Sequence, residues 1–512
     1  MENKKKVTII GAGISGITAG CYLQMNGFET EIFEKNSTSG GLCTSWKRGN
    51  YTFDGCVHWL LGSNNSSPFF KLWSELLDMK SIQFHHHETR IDIELLNNSD
   101  KYNNKIFHLY TNINRLEKYL IDLAPEDMLA IKKLTGMMRQ IPQYEIPPIF
   151  DDTTFLSVIK NRIKMIQLLP FVFLFLKWKN VTNFSFAKKL TNPFLKEAFK
   201  LLFDGEEQNL LIITMPLAYF DRQGAGYPIG GSYCFAKKLE EKYFSLGGKI
   251  NFNSSIEKII IDDNKAKGIL LKNGEKYFSE ITLSCTDWYF THFKALEGKY
   301  INKKILNLKD QKNLKVFYSI MLLSLGIKKS FKDYPHLIRF PLEKELISPD
   351  GTKYSRVEVH IYNYDPTLAP EGKTVVSVSL NTDNSDFWID LRKKDKEIYL
   401  KNKQLFADEI IDILEKKFFN IKNNIEEIDL ATPATYFRYT NNWQGSTQGW
   451  MPGKNIVASS PVLPEIKGLQ NFFFSSHWSV PGGGLPIAIK NARDTVKLIC
   501  NRCQKKFSTN KQ

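Results

Sequence analysis

Gly11, Gly13 and Gly16 stand between a short apolar run, Val7 to Ile10, and an apolar series at helical spacing, Ile14, Ile17, Cys21 and Met25. Strand, glycine turn and helix in that order leave few folds open to the chain. Gly11 permits the tight turn, Gly13 lets the backbone approach a pyrophosphate, and Gly16 lets the helix pack closely on the strand. The free N–H groups at the start of such a helix then face the phosphate charge. Ala12 and Ser15 complete the candidate binding loop. An apolar strand resumes at Glu31-Ile32-Phe33 and ends on Glu34, about 20 residues on, where a carboxylate accepts hydrogen bonds from ribose hydroxyls. These features predict a dinucleotide site on an α/β, Rossmann-type unit.

The same stretch imitates something else. Lys4, Lys5 and Lys6 precede an uncharged run from Val7 to Leu23, as in a secretory signal. The glycines and the strand that follows favour the dinucleotide fold instead. A second apolar stretch, Ile163 to Leu176, is broken by Lys164, Gln167 and Pro170 and is shorter than the roughly 20 residues a bilayer span requires, so no transmembrane helix is expected.

At 512 residues, 42% hydrophobic and 24% charged, the chain is expected to fold around two cores rather than one. Its net charge of +15 favours anionic surfaces. With no zinc-finger, helix-turn-helix or ribonucleoprotein signature, a membrane surface fits better than nucleic acid. Lysines at 160, 164, 177 and 179 and Trp178 flank the apolar run, which is the pattern of an interfacial segment. The expectation is a cytoplasmic protein, peripheral on the inner membrane face, that loads substrate through 163–179. A helix buried in the core is the alternative. The seven cysteines are scattered and odd in number, which argues against a disulfide framework, and Cys500-x-x-Cys503 lacks a second ligand pair for zinc. His85, His86 and His87 beside Glu88 alternate faces on a strand and cannot converge on one ion, so they read as a polar strand edge. No metal is expected, and the oligomeric state stays open.

The glycine fingerprint is common to FAD and NAD sites. Past Glu34 and Lys35 comes a second glycine pair, Gly40-Gly41, before Leu42, and this resembles the extended FAD motif of flavoproteins of the amine-oxidase and glutathione-reductase kind. There is no second GxGxxG preceded by a strand for a nicotinamide domain. The run from Gly40 to Gly55 is similar to the carotenoid desaturase and isomerase family, which includes phytoene desaturases and retinol saturases. Tyr227 to Ser232, Thr432 to Thr440, and Gly468-Leu469 through Pro481-Gly482-Gly483-Gly484-Leu485-Pro486 resemble further motifs of that family. The resemblance implies an FAD-binding domain built from 1–80, 222–292 and 440–503, with an α+β substrate domain, 81–221 and 293–439, inserted and a basic tail at 504–512. It implies FAD contacts at Gly41, Leu42, Gly483, Gly484 and Leu485, and backbone hydrogen bonds from Ile256 to the adenine. The residues agree where they speak: Ile259 to Ile261 and Ile269 to Leu271 around Asp262-Asp263-Asn264 read as a hairpin, 110–215 as amphipathic helices, and Val316 to Ile327 and Val375 to Leu380 as strands.

The chain departs from the family at Ser476-His477, where many members carry an acid or amide, and at Asn491-Ala492-Arg493. The implied activity is FAD-dependent desaturation, saturation or redox-assisted isomerisation of a hydrophobic, isoprenoid-like chain. A flavin amine oxidase is one alternative, and a prenyl- or lipid-binding carrier like the GDP dissociation inhibitors is another. An apolar tunnel would suffice for such a substrate. If a proton moves, His58 and His477 are the candidate catalytic residues, since each neighbours a flavin-side motif and histidine titrates near neutrality.

Overall fold

The computed structural model describes residues 4–95, 106–141, 169–170, 172–312, 314–451 and 462–510. Its first sheet is wholly parallel. The order is Lys249–Asn251, Glu29–Phe33, Lys6–Ile10, Ile281–Ser284 and Phe472–Phe474, so two strands from near the start of the chain, two from its middle and one from near its end share one layer. Parallel sheets are buried on both faces, and the strands read accordingly: Val7, Ile9, Ile10, Ile32, Leu283 and Phe473 are all in the core. The glycine helix, Ile14–Met25, follows the first strand and is buried almost all round. It is clasped between the helices Gly231–Ser245 and Leu485–Arg502.

The hairpin forms as its pattern predicts, with Ile256–Asp262 antiparallel to Lys265–Leu271 and positive φ at Asp263 and Asn264 in the turn. A third strand, Lys276–Phe278, completes that small sheet.

The second large sheet has seven strands, in the order Ile425–Ala431, Ser319–Ile327, Thr374–Thr382, Lys353–Ile361, Leu337–Ile347, Thr89–Glu94 and Ile106–Tyr110. Its two faces differ in kind. Met321, Leu323, Val357, Val359, Val376 and Val378 pack under the helix Lys396–Phe418, whose Phe406, Ile410 and Leu414 are buried on them. The opposite face carries Ser324, Ser377, Ser379, Glu358, His360 and Arg339, joined by the registers Ser324↔Ser377, Glu358↔Ser379 and Arg339↔Glu358. Strand alternation thus sends one set to the core and the other to a polar surface that is itself covered.

Two expectations change. His85, His86 and His87 are not a polar edge. His85 lies in a two-residue strand paired with Tyr227, and His85 and His87 turn inward while His86 goes to the other side, against Gly226. His87 is buried and stacks on His336 at 3.5 Å between ring centres. The side chains do alternate; what the sequence hides is that the covered side also receives His336, from just before the strand Leu337–Ile347. The second change is Trp178. It is 7% exposed and packs into the helical core, so it is not an anchor at a membrane interface. Residues 163–168 and 171 of that segment lie outside the described residues, whereas 172–178 are helical. The basic tail also docks: Phe507 packs on Tyr22 and Ser508 exchanges hydrogen bonds with Asn26.

Candidate functional site: a dinucleotide cradle opening onto a polar-floored cavity

The motifs singled out in the sequence converge through specific bonds. Asp54, at the end of the Gly40–Gly55 run, accepts from the N–H and the Oγ of Ser232, both at 2.5 Å, and so ties the N-terminal motif to the start of the mid-chain helix. Ser15 donates from Oγ to the carbonyl of Ser475 at 2.8 Å, which fixes the C-terminal motif beside the glycine turn. Lys35 donates to the Arg438 carbonyl and to Asn441, bringing the Thr432 to Thr440 helix over the same edge.

Between these segments lies a cavity of about 1060 Å³, at the top of the range for small-molecule sites. Gly11, Gly13, Ser15, Glu34, Lys35, Gly41, Leu42, Ile256, Gly483, Gly484 and Leu485 all line it. Ala12 does not line it, and its N–H is taken by the carboxylate of Glu34 at 2.8 Å. The other Glu34 oxygen accepts from the N–H and side-chain amide of Asn36. Glu34 is 6% exposed, and burial pushes its carboxyl upward against these hydrogen bonds. Burial lowers Lys35 to about 8.

The backbone fits a diphosphate. A Cβ added to Gly13 would meet only the Gly41 Cα, at 4.0 Å, so the space above it is open, whereas one on Gly16 would lie 1.9 Å from the Gly11 carbonyl oxygen. The two glycines have different tasks, room for a ligand and room for the strand. At the other end, Gly484 caps the helix Leu485–Arg502 and leaves its first N–H groups toward the cavity, where they can stabilise negative charge.

His58 and His477 both line this cavity, and each has an orphaned buried ring nitrogen, Nδ1 and Nε2 respectively. Neither titrates near neutrality. Burial pulls His477 down to about 4 and His58 well below its usual range, the latter helped by His360 stacked at 4.2 Å. Both rings are therefore neutral at pH 7, and the titration argument that selected them does not hold.

Sequence reasoning missed Asp287. It follows the fourth strand of the parallel sheet, lines the cavity, and accepts from the N–H groups of Phe290 at 2.7 Å and Trp443 at 3.0 Å. Burial outweighs those bonds and raises its carboxyl to about 7. Nothing in Cys285-Thr286-Asp287-Trp288 announces this, because part of what surrounds the carboxyl, the Trp443 backbone that donates to it, lies far along the chain.

One measurable consequence concerns stability. The native state holds a proton on Asp287 up to about pH 7 that the unfolded chain releases near 4, so this group's contribution falls as pH rises between those values, by about 1.4 kcal/mol per unit. Asp287→Asn is expected to flatten the decline of denaturation midpoint between pH 5 and 7. Equal slopes for native and variant would remove Asp287 as the cause.

The remaining wall is of two kinds. Leu211–Phe220 presents Leu211, Ile212, Met215 and Pro216, while the seven-stranded sheet presents its polar face, with Arg339, Arg356, Glu358 and Ser379. The expected apolar tunnel is thus apolar on one side only.

Comparison with known proteins fits this geometry. Residues 9–76 match the NAD(P)-binding Rossmann-like domain family. The chain is 25% identical to prolycopene isomerase 2 of an Oncidium hybrid over 87% of its own length and 75% of the relative's. It is 23% identical to the 1-hydroxycarotenoid 3,4-desaturase of a Flavobacterium over 97% and 99%. Among solved structures it shares its fold with an oxidoreductase from Methanosarcina mazei (TM-score 0.59, 16% identity, covering 96% of this chain and 100% of that one) and with cyclohexylamine oxidase from Brevibacterium oxydans (0.55, 13%, 98% and 100%). Over most of its length the chain is thus similar in sequence to carotenoid isomerases and desaturases.

Proposed function

We propose that the protein is an FAD-dependent oxidoreductase that desaturates, saturates or isomerises carbon–carbon bonds of a long isoprenoid chain. The observation that carries this is one cavity lined at once by Gly13 and Glu34, by the Pro481 to Pro486 turn and by the apolar wall of Leu211–Phe220. Gly13, Glu34, Lys35, Gly41 and Leu42 would hold the adenosine and diphosphate, with Ile256 at the adenine and Gly483, Gly484 and Leu485 at the flavin's polar edge. When bound, FAD supplies the hydride or electron transfer that side chains cannot. The chain's own task is to align the substrate carbon and exclude water. Neutral His58 and His477 suit hydrogen bonding at that face better than proton delivery, and Asp287 is the carboxyl best poised to exchange a proton near pH 7. In this reading 1–80, 222–292 and 440–503 form the FAD-binding domain, with 81–221 and 293–439 bearing the substrate.

The test is incubation of flavin-loaded protein with a linear carotenoid precursor in liposomes, followed by chromatography and mass analysis. Gain, loss or rearrangement of double bonds supports the reading. Turnover confined to amines, with peroxide released, overturns it in favour of amine oxidation.

Substrates of this class reside in bilayers. No helix among the described residues is long and apolar enough to cross a membrane. The helical segment 172–178 nonetheless leaves Val172, Phe173 and Leu176 exposed, Phe173 by 68%, while Trp178 and its neighbours Leu174 and Phe175 pack inward. We propose that this outer face rests on the membrane surface. Flotation with anionic liposomes is expected for the native protein and is expected to be lost in Phe173→Glu, Leu176→Glu. Native protein that stays with the soluble fraction at low and high salt alike overturns this.

A further inference from the structure

The polar floor of the cavity contains more positive charge than the protein neutralises. Arg339 is paired with Glu358, whose second oxygen is 3.2 Å from His360 Nε2, so that pair is internally satisfied. Arg356 is not. It is 7% exposed, donates to the Glu94 backbone carbonyl, and leaves its Nε buried without a partner. The Glu94 carboxylate is held by Lys417, and Asp204, the other nearby acid on the cavity wall, interacts with Arg356 only through space.

Arg90 is barer still. It lines the cavity, has no hydrogen bond or ion pair among the described residues, and is reached only through space by Glu358, which is already engaged by Arg339 and His360. Its place in the fold explains its direction: Thr89 pairs with Tyr110 and Ile91 with Leu109, so Arg90 is the extra residue of a bulge. A bulge re-aims one side chain, and this one goes to the cavity rather than into the helical core that receives Ile91 and Ile93. Burial pulls both guanidinium groups below their ordinary range, the mark of charges short of solvation. Buried charge of this kind is costly unless something pairs with it, and guanidinium groups match the geometry of carboxylate and phosphate oxygens.

We propose that Arg90 and Arg356 bind the anionic terminus of the substrate, a carboxylate or a phosphate monoester on a long isoprenoid chain whose apolar body lies along Leu211–Phe220. This rests on the reading of the cavity as an isoprenoid site and narrows it: a pure hydrocarbon would leave both charges unpaired. The acid end then fixes which carbon reaches the glycine turn at the other end.

The experiment uses farnesoic acid, farnesyl phosphate and farnesol, which share one chain, with binding to the flavin-loaded protein measured by equilibrium dialysis. The acid or the phosphate is expected to bind at least tenfold more tightly than the alcohol, and the comparison of the two anions identifies which head group the site prefers. Arg90→Met breaks no hydrogen bond or ion pair, since Glu358 keeps Arg339 and His360, and is expected to lose most of that preference while leaving farnesol binding unchanged. Arg356→Gln is expected to do the same, with Arg356→Lys restoring part of it. Equal binding of all three ligands to the native protein, or an anion preference that survives both Arg90→Met and Arg356→Gln, overturns the proposal. A protein that takes up no FAD but still prefers the anions would overturn the oxidoreductase reading and leave this site standing.

Discussion

Glu34→Ala is expected to purify with little or no FAD and to bind added FAD tenfold to a hundredfold more weakly, since a hydrogen bond to a charged group contributes about 1.5 to 3 kcal/mol. The carboxylate is 6% exposed and sits at the end of the second parallel strand, facing the cavity. It also organises the site before any ligand arrives, because one oxygen holds the Ala12 N–H and the other holds Asn36. The variant therefore loses both a ribose partner and the shape of the glycine turn. Glu34→Gln, which keeps an acceptor but offers a donor to N–H groups, is expected to fall between. Calorimetric titration of apo-protein with FAD gives the measurement, and an unchanged affinity in Glu34→Ala would detach this residue from the cofactor.

The second large effect separates two glycines of one motif. Gly13→Val is expected to fold, with a melting temperature close to that of the native apo-protein, yet to lose FAD binding. Its φ of −72° suits any residue, and its Cβ enters open space that the diphosphate would need. Gly16→Val is expected to fail at folding, because its Cβ would fall 1.9 Å from the Gly11 carbonyl oxygen, a backbone atom that cannot move without breaking the turn. A destabilisation beyond about 4 kcal/mol is the expected scale for such a clash. Circular dichroism melting and FAD titration on the two variants check both halves. If Gly13→Val binds FAD normally, the space above Gly13 is not the diphosphate site.

Much of the cradle was legible in the chain, and the reason is locality. Strand, turn, helix and acid lie within Val7 to Glu34, so their spacing alone specifies their geometry. The same holds for the 256–271 hairpin and for the glycine turn before Leu485. The substrate face was not legible. Arg356, Glu358 and His360 alternate along one strand, but whether their side is solvent or cavity depends on the helix Lys396–Phe418 taking the other face, and Arg90 reaches the cavity only because a bulge displaces it from register. Asp287 acquires its raised pKa from burial, and part of its surroundings, the Trp443 backbone, lies more than a hundred residues away. The histidine candidates show the converse error, since nearness in sequence to a flavin-side motif said where they lie but not that burial would silence their titration.

FAD binding is tested by the visible spectrum of the purified protein, with mass analysis of whatever it releases on denaturation. A yellow protein with flavin absorption bands that releases FAD is expected. A colourless protein that neither carries FAD nor takes it up on reconstitution would contradict it.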